Sequence, residues 1–362
     1  MPVLKNVKIK GFKSIKEMDL KLGSLNILIG SNGAGKSNFI SLFKLLNQIV
    51  LKNLQVFVGQ SGGANTFLYL GSKVTNEIEI HLDFDPNAYF CKLGPTADDS
   101  LIFLEESTFF QGPGHKKPYE EGLGEGHKET KLHELANKKG VVNHVLKNMK
   151  SWRVYHFHDT SESSKIKQTG DLGDNDVFRP DASNLAAFLY FLKEKQADSY
   201  RNIVETVRMA APFFDDFQLR PSKFNPNKIQ LEWHQKGMDD YFNAHSLSDG
   251  TLRFMCLATL LLQPELPAVI LLDEPELGLH PYAVTLLANL LKSAATKTQI
   301  IASTQSVGLV NQFEPADIVV VDRKEGWSEF SRLDRARMED WLKEYGLGDL
   351  WEKNILGGRP SH

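Results

Sequence analysis

The sequence is short of cysteine, of long apolar runs and of any dominant charge, and each shortage removes a class of protein. Only Cys91 and Cys256 occur in 362 residues. They form no CxxC or metal spacing, which excludes a disulfide scaffold and fits a reducing cytoplasm where thiols stay free. The most apolar stretch, residues 258–272, is interrupted by Gln263, Pro264, Glu265 and Pro267, which is too broken for a membrane span. The opening MPVLKNVKIKGFKSI lacks the apolar core of a signal peptide, so the expectation is a cytoplasmic chain with no membrane partner. Lys and Arg number 42 against 45 Asp and Glu, a net charge of −3. No whole-molecule positive field therefore draws the chain to nucleic acid or anionic lipid. Internal repeats of 20–50 residues and sustained heptads are also missing.

What is present is an ordinary globular composition, 41% hydrophobic and 24% charged, long enough to bury a large core. Val7 and Ile9 alternate with lysines as in a half-buried strand, and Leu25 to Ile29 form a buried one. Phe39, Leu42, Phe43 and Leu46 then recur at helical spacing over about 36–49. Ile78, Ile80, Leu82 and Phe84 mark antiparallel strands, with another at Leu101 to Leu104. Residues 111–130 carry little apolar content and predict a mobile loop. Trp152 to Phe157 resume a strand, a capped helix over 181–195 with Leu185, Phe188, Leu189 and Leu192 inward and a second at about 197–210 follow, and Ile229, Leu231 and Trp233 alternate as one strand. Apolar strands at 269–273, 299–303 and 317–322 alternate with helical stretches, as in a parallel α/β sheet.

Three motifs carry chemistry. Gly30, Ser31, Asn32, Gly33, Ala34, Gly35, Lys36 and Ser37, followed by Asn38, match G-x-x-x-x-G-K-[ST] between a buried strand and a helix. Glycines there let backbone N–H groups converge on phosphate oxygens. Lys36 reaches the β and γ phosphates, and Ser37 ligates Mg²⁺. The run Val269 to Leu272 ends in Asp273 and Glu274, which places two acids at the carboxyl edge of the sheet where ligands of open α/β folds bind. Asp273 is the expected second Mg²⁺ ligand, and Glu274 the group that orients or deprotonates the attacking water. Leu247-Ser248-Asp249-Gly250-Thr251 precedes a helix, 23 residues before Asp273 counted from Gly250.

The order of strand, phosphate loop, LSDGT, LLDEPELGLHP and IIASTQS resembles the ABC-type ATPases of the SMC and RecF-like group, especially the compact AAA-type ATPases of bacterial defence loci. IKGFKSI at the start and WLKEYGLGDLW near the end look like that family too. The resemblance implies an α/β P-loop NTPase: an ATPase head with a mixed central sheet, an antiparallel β arm and a helical lobe. It implies ATP and Mg²⁺ as cofactors, and a homodimer in which Ser248, Asp249 and Gly250 of one copy meet the nucleotide of the other. Gln305 occupies the switch position that is histidine in many relatives, which points to slow turnover. Asp249 stands where transporters usually carry Gly, and His280 where many relatives place Asp. No glutamine is assignable to the Q-loop; its expected place is the end of the Trp152 strand, around His158.

The expected layout is a core lobe over 1–160, a helical lobe over 161–245 and a return to the core over 246–362. Without an effector motif of its own, the chain is expected to regulate a separate effector such as a nuclease in anti-phage defence. The alternative is a RecF-like clamp that binds DNA in repair, and a transporter motor is more distant. Among weaker signals, His156 and His158 read as ordinary hydrogen-bonded strand-end histidines ahead of a metal pair, Lys8, Lys10, Lys13 and Lys16 as a solvated face of an edge strand ahead of a basic strip beside nucleotide or DNA, Phe12 and Lys13 as an approach to adenine by the same resemblance, and 335–351 as an amphipathic helix packed on its own domain.

Overall fold

The computed structural model describes residues 4–112, 114, 117–334 and 340–358. Strands β1 (Asn6–Phe12), β2 (Ile15–Lys21) and β3 (Leu25–Ile29) lead into helix α1 (Lys36–Val50) and the short α2 (Leu54–Gln60). Next come β4 (Ile78–Phe84), β5 (Asn87–Pro95), β6 (Leu101–Phe110), β7 (Tyr119–Gly124), α3 (Leu132–Ala136), α4 (Gly140–Lys150) and β8 (Trp152–Tyr155). The middle of the chain holds β9 (Gly170–Asp171), α5 (Leu185–Lys195), α6 (Ala197–Ala210), β10 (Phe214–Phe217), β11 (Lys228–Ile229), β12 (Glu232–Gln235) and β13 (Tyr241–Asn243). It returns through α7 (Asp249–Leu262), β14 (Val269–Asp273), α8 (Pro281–Ala295), β15 (Gln299–Thr304), α9 (Val307–Val310), β16 (Ile318–Lys324) and β17 (Trp327–Arg332).

Two six-stranded sheets organise these elements. The mixed sheet runs β17-β16-β3-β15-β14-β8, parallel except for the β16–β17 hairpin. Its inner strands β3, β14 and β15 are almost wholly buried because both faces are covered, whereas the outer β17 is largely polar. Ile27, Ile270, Ile300 and Val320 face a core shared with α5 to α8. Leu28, Leu271, Ile301 and Val321 face a second core shared with α1 and the antiparallel sheet. That second sheet has the order β2-β1-β4-β5-β6-β7. Three layers result, with the glycine turn after β3 at the edge where the parallel strands end.

Several expectations need correction. The segment 111–130 is not a mobile loop over its described residues: β7 pairs antiparallel with β6, and Leu123 is buried. The anchor is Glu106, a buried carboxylate that accepts from Tyr89 Oη at 2.9 Å, the Thr130 hydroxyl, the Lys131 amide at 3.0 Å and His127 Nε2 at 2.9 Å. A buried charge with that many donors holds polar sequence in place, which an apolar count does not reveal. Residues 113, 115 and 116 lie outside the described residues.

Lys8 and Lys10 are not on an edge, since β1 lies between β2 and β4, whereas Lys16 is on β2, the outer strand of that sheet. Lys8 pairs with Asp19 at 2.8 Å, Lys10 sits between Glu17 and Glu79 in register, and Lys16 lies over the Trp327 ring. Ile229 and Trp233 belong to two short strands, β11 and β12, and the segment 161–245 carries small antiparallel sheets beside its helices. Over 340–352 there is a 3₁₀ turn (Trp341–Lys343) and a short helix (Leu347–Glu352) instead of one amphipathic helix. Residues 335–339 of that expectation lie outside the described residues.

Replacing Glu106 with Ala leaves its four donors without an acceptor in the interior. We expect a loss of about 3 kcal/mol, measured as a lower urea midpoint, with increased amide exchange over 119–131. Wild-type stability of this variant would show that Glu106 is not the anchor.

Candidate functional site

Backbone geometry fixes the phosphate loop before any side chain acts. Gly33 and Gly35 adopt φ of 78° and 121°, a region that favours glycine. A Cβ on Gly30 would lie 2.2 Å from the Val321 carbonyl, and one on Gly35 would lie 2.0 Å from Ser328 Oγ. The loop is thus wedged against the β16–β17 hairpin. A polar chain reinforces it: Asn38 Nδ2 donates to Ser14 Oγ at 2.7 Å, Ser14 Oγ meets Ser328 Oγ at 2.7 Å, and Ser328 Oγ donates to the Ala34 carbonyl. Arg323 donates to the Gly33 carbonyl at 3.2 Å. Ser31 closes the turn by accepting from the Ala34 amide at 3.2 Å, while Asn32 stays exposed.

Lys36 is buried, and its ammonium donates to the Gly30 and Ser31 carbonyls at 2.7 and 3.1 Å. Burial lowers its pKa, against the pull of Glu274, Asp273 and Glu276. Ser37 Oγ lies 3.5 Å from Asp273 Oδ1, which also accepts from Ser303 Oγ. A hydroxyl and a carboxylate side by side are oxygen ligands of the kind Mg²⁺ takes, so the donor set fits that ion.

Glu274 follows with φ of 43°, an uncommon backbone for a non-glycine residue. Its amide donates to the Ser303 carbonyl at 3.0 Å and to Ser303 Oγ at 3.2 Å, which holds the bend. Gln305 Nε2 donates to Glu274 Oε1, so the two expected catalytic side chains touch. They line a cavity of about 660 Å³ together with Leu277 and Gly278.

The LSDGT segment lies elsewhere. Ser248 caps α7 by accepting from the Thr251 amide at 3.2 Å, and its side chain is exposed. Asp249 stands 4.0 Å from Lys167. A Cβ on Gly250 would lie 2.2 Å from the Gly278 carbonyl, so α7 and the loop after Glu274 pack backbone to backbone. Ser248 and Gly250 share a cavity of about 130 Å³ with Gly278 and His280, and no phosphate-loop residue lines it. His280 itself caps α8, accepting from the Tyr282 amide at 3.3 Å.

Three residues that the motifs did not single out tie these parts together. Arg253 is buried and donates to the carbonyls of Phe157 at 3.0 Å, His158 at 3.3 Å and Leu277. It was legible only as the lone charge within the apolar run of α7 beyond Asp249. Glu276 accepts from the Thr304 hydroxyl and from the Gln305 amide at 3.2 Å, and burial raises its pKa. Ser328 had no sequence signal at all.

His158 Nε2 donates to the Asp273 carbonyl at 2.9 Å, at the place expected for the Q-loop. No group of three or more His, Cys, Asp or Glu able to hold a metal occurs among the described residues, so nothing adds a third ligand to His156 and His158. Phe12 has no exposed surface and packs near Phe67, so its face is not available to adenine. Lys13 is half-buried above those same rings. Cys91 and Cys256 are both buried and free, with thiol pKa values pushed up by burial.

Burial, with Lys44 adding to it, pushes the His156 pKa down to about 4, from 6.5 when exposed. Between those values the unfolded chain binds a proton that the folded chain refuses. Stability should therefore fall as pH drops from 6.5 towards 4 and level off below, and His156→Gln should flatten that slope. Urea midpoints at pH 7.5, 6 and 5 measure it; identical slopes in the two proteins would exclude His156 as the cause.

Residues 25–311 match the family described as AAA domain, putative AbiEii toxin, Type IV TA system. An OLD nuclease from Thermus scotoductus is 32% identical over 85 residues, 23% of this chain and 15% of that protein. A DNA double-strand break repair Rad50 ATPase from Sulfolobus acidocaldarius is 27% identical over 112 residues, 29% of this chain and 11% of that protein. The chain thus matches only a minor part of the length of these relatives. Among solved structures, an Smc head bound to the C-winged helix domain of ScpA aligns with a TM-score of 0.59 at 17% identity, covering 94% of this chain and 100% of that one. A Pyrococcus furiosus Smc head with an extended coiled coil gives 0.59 at 15% identity, over 95% and 99%. With the family matched over most of the chain, this chain belongs to the family described as AAA domain, putative AbiEii toxin, Type IV TA system, and its fold is that of an Smc head.

Proposed function

We propose that two copies of this chain bind Mg·ATP between them and that the ATP-driven joining and parting of the copies controls a separate effector, such as a nuclease, in anti-phage defence. The observation that carries the reading is the split of the motifs over two surfaces. Lys36, Ser37, Asp273, Glu274 and Gln305 gather at the sheet edge, whereas Ser248 presents its exposed hydroxyl from another cavity. A triphosphate held by the first set leaves the outer face of its γ-phosphate for a second set of helix-terminus donors. Another copy supplies that set through Ser248, Asp249 and Gly250.

In this reading the phosphate-loop amides from Ser31 to Ser37 and the Lys36 ammonium hold the β and γ phosphates. Ser37 and Asp273 hold Mg²⁺, which supplies neutralisation of the charge shared between those phosphates. Glu274 accepts a proton from the attacking water, and Gln305, bonded to it, orients that carboxylate. Gln305 hydrogen-bonds without carrying charge, so turnover is slow compared with a histidine switch. Among the described residues no helix is long and apolar enough to cross a membrane. The defence reading draws support from the family description and from the nuclease relative.

A repair clamp on DNA is the second reading, favoured by the Rad50 relative. The alternating charges across β2, β1 and β4 give it no basic surface on that sheet face.

Lys36→Ala should lose nucleotide binding. Glu274→Gln should keep binding, hydrolyse at least about a hundredfold more slowly and accumulate as an ATP-bound dimer in size-exclusion chromatography. A Glu274→Gln protein that stays monomeric with saturating ATP would defeat the two-copy reading. Salt-sensitive DNA binding that appears only with ATP would favour the clamp.

A further inference from the structure

We infer that the segment 346–358 is part of the nucleotide site, as a strap that positions the phosphate loop and the helix after Gln305 together. The inference rests on the assignment of residues 30–37 as the phosphate cradle. One end of the strap is seated on α9, which starts directly after the switch residue. The Gly348 amide donates to Asn311 Oδ1 at 2.6 Å, and a Cβ on Gly348 would lie 2.4 Å from the Val307 carbonyl. Ser306, next to Gln305, caps that same helix. Leu350, Trp351 and Leu356 are buried in the core that also contains Val310 and Val320, so the strap is fastened along its length.

The other end reaches the phosphate loop from behind. Gly357 and Gly358 both take positive φ, 79° and 76°. The Gly358 amide points at Asp322 Oδ2, 3.4 Å away. A Cβ on Gly358 would lie 3.2 Å from Gly30 Cα and 3.1 Å from Val320 Cγ1. That same Cβ would lie 3.4 Å from the Val321 carbonyl, the group that also crowds Gly30, so Gly358, Gly30 and Val321 meet at one close-packed point.

The consequence is reciprocal, as all linkage is. Nucleotide that fixes Gly30 and Gln305 steadies the strap, and a strap pushed off its seat weakens the nucleotide. Gly348 and Gly358 are positioning residues: they act through Asn311 and Gly30 and touch no reacting group.

The test uses the full chain with Mg²⁺ and either ADP or a non-hydrolysable ATP analogue. In wild type, amide exchange over 346–358 should slow when nucleotide is added. Gly358→Ala should weaken nucleotide binding by about tenfold, the effect of a modest overpacking cost, with a smaller change in kcat at saturation and a slightly lower melting temperature without nucleotide, because alanine is strained at this positive φ. Gly140→Ala, at an open position, serves as the control and should bind like wild type. Exchange indifferent to nucleotide, or wild-type affinity in Gly358→Ala, overturns the inference. If Gly358→Ala fails to fold, the wild-type exchange result decides alone. A wild-type chain that binds no nucleotide would instead overturn the reading of the cradle.

Discussion

Everything at this sheet edge depends on a turn that is braced from behind. A glycine loop free in solution samples many conformations, and convergent amides would then have to be ordered by the ligand at its own expense in affinity. Here the Val321 carbonyl and the Ser328 hydroxyl occupy the volumes that side chains on Gly30 and Gly35 would need. The motif glycines are thus demanded by close approach as much as by dihedral freedom. Their partners come from a hairpin nearly three hundred residues further along the chain, so the phosphate loop is a product of the completed sheet and not a local structure.

The acidic end of β14 is set by its neighbours in the same way. Ser303 grips both Asp273 and the Glu274 amide, Gln305 reaches Glu274, and Glu276 turns back to the end of β15. Adjacent parallel strands deliver these groups at one level because their register pairs Asp273 with Ser303. The bend at residue 274 then sends the two consecutive acids to different neighbours, Asp273 to Ser37 and Ser303 and Glu274 to Gln305, as the proposed roles require.

Much of this was legible in the sequence because the signals were local. A buried strand, glycine spacing and a helical stripe around Phe39 define the phosphate loop, and four apolar residues before two acids define the end of β14. Long-range polar effects were not legible. Glu106 ordering the segment beyond β6, Arg253 reaching three carbonyls and Ser328 bracing the loop all require knowing which distant groups meet in space. The adenine contact expected of Phe12 failed for a related reason: the resemblance located the residue, but only packing against Phe67 showed that its ring was already used.

The contact between Gly250 and Gly278 has a mechanical meaning. Two backbones that touch without intervening side chains have no compressible layer between them, so α7 and the turn 276–279 travel as one rigid piece. That piece also holds Arg253 at one end and Glu276 at the other. The turn that abuts α7 at Gly250 thus also carries Glu276, the acceptor of the Gln305 amide, so helix and strand end share one short bridge of backbone.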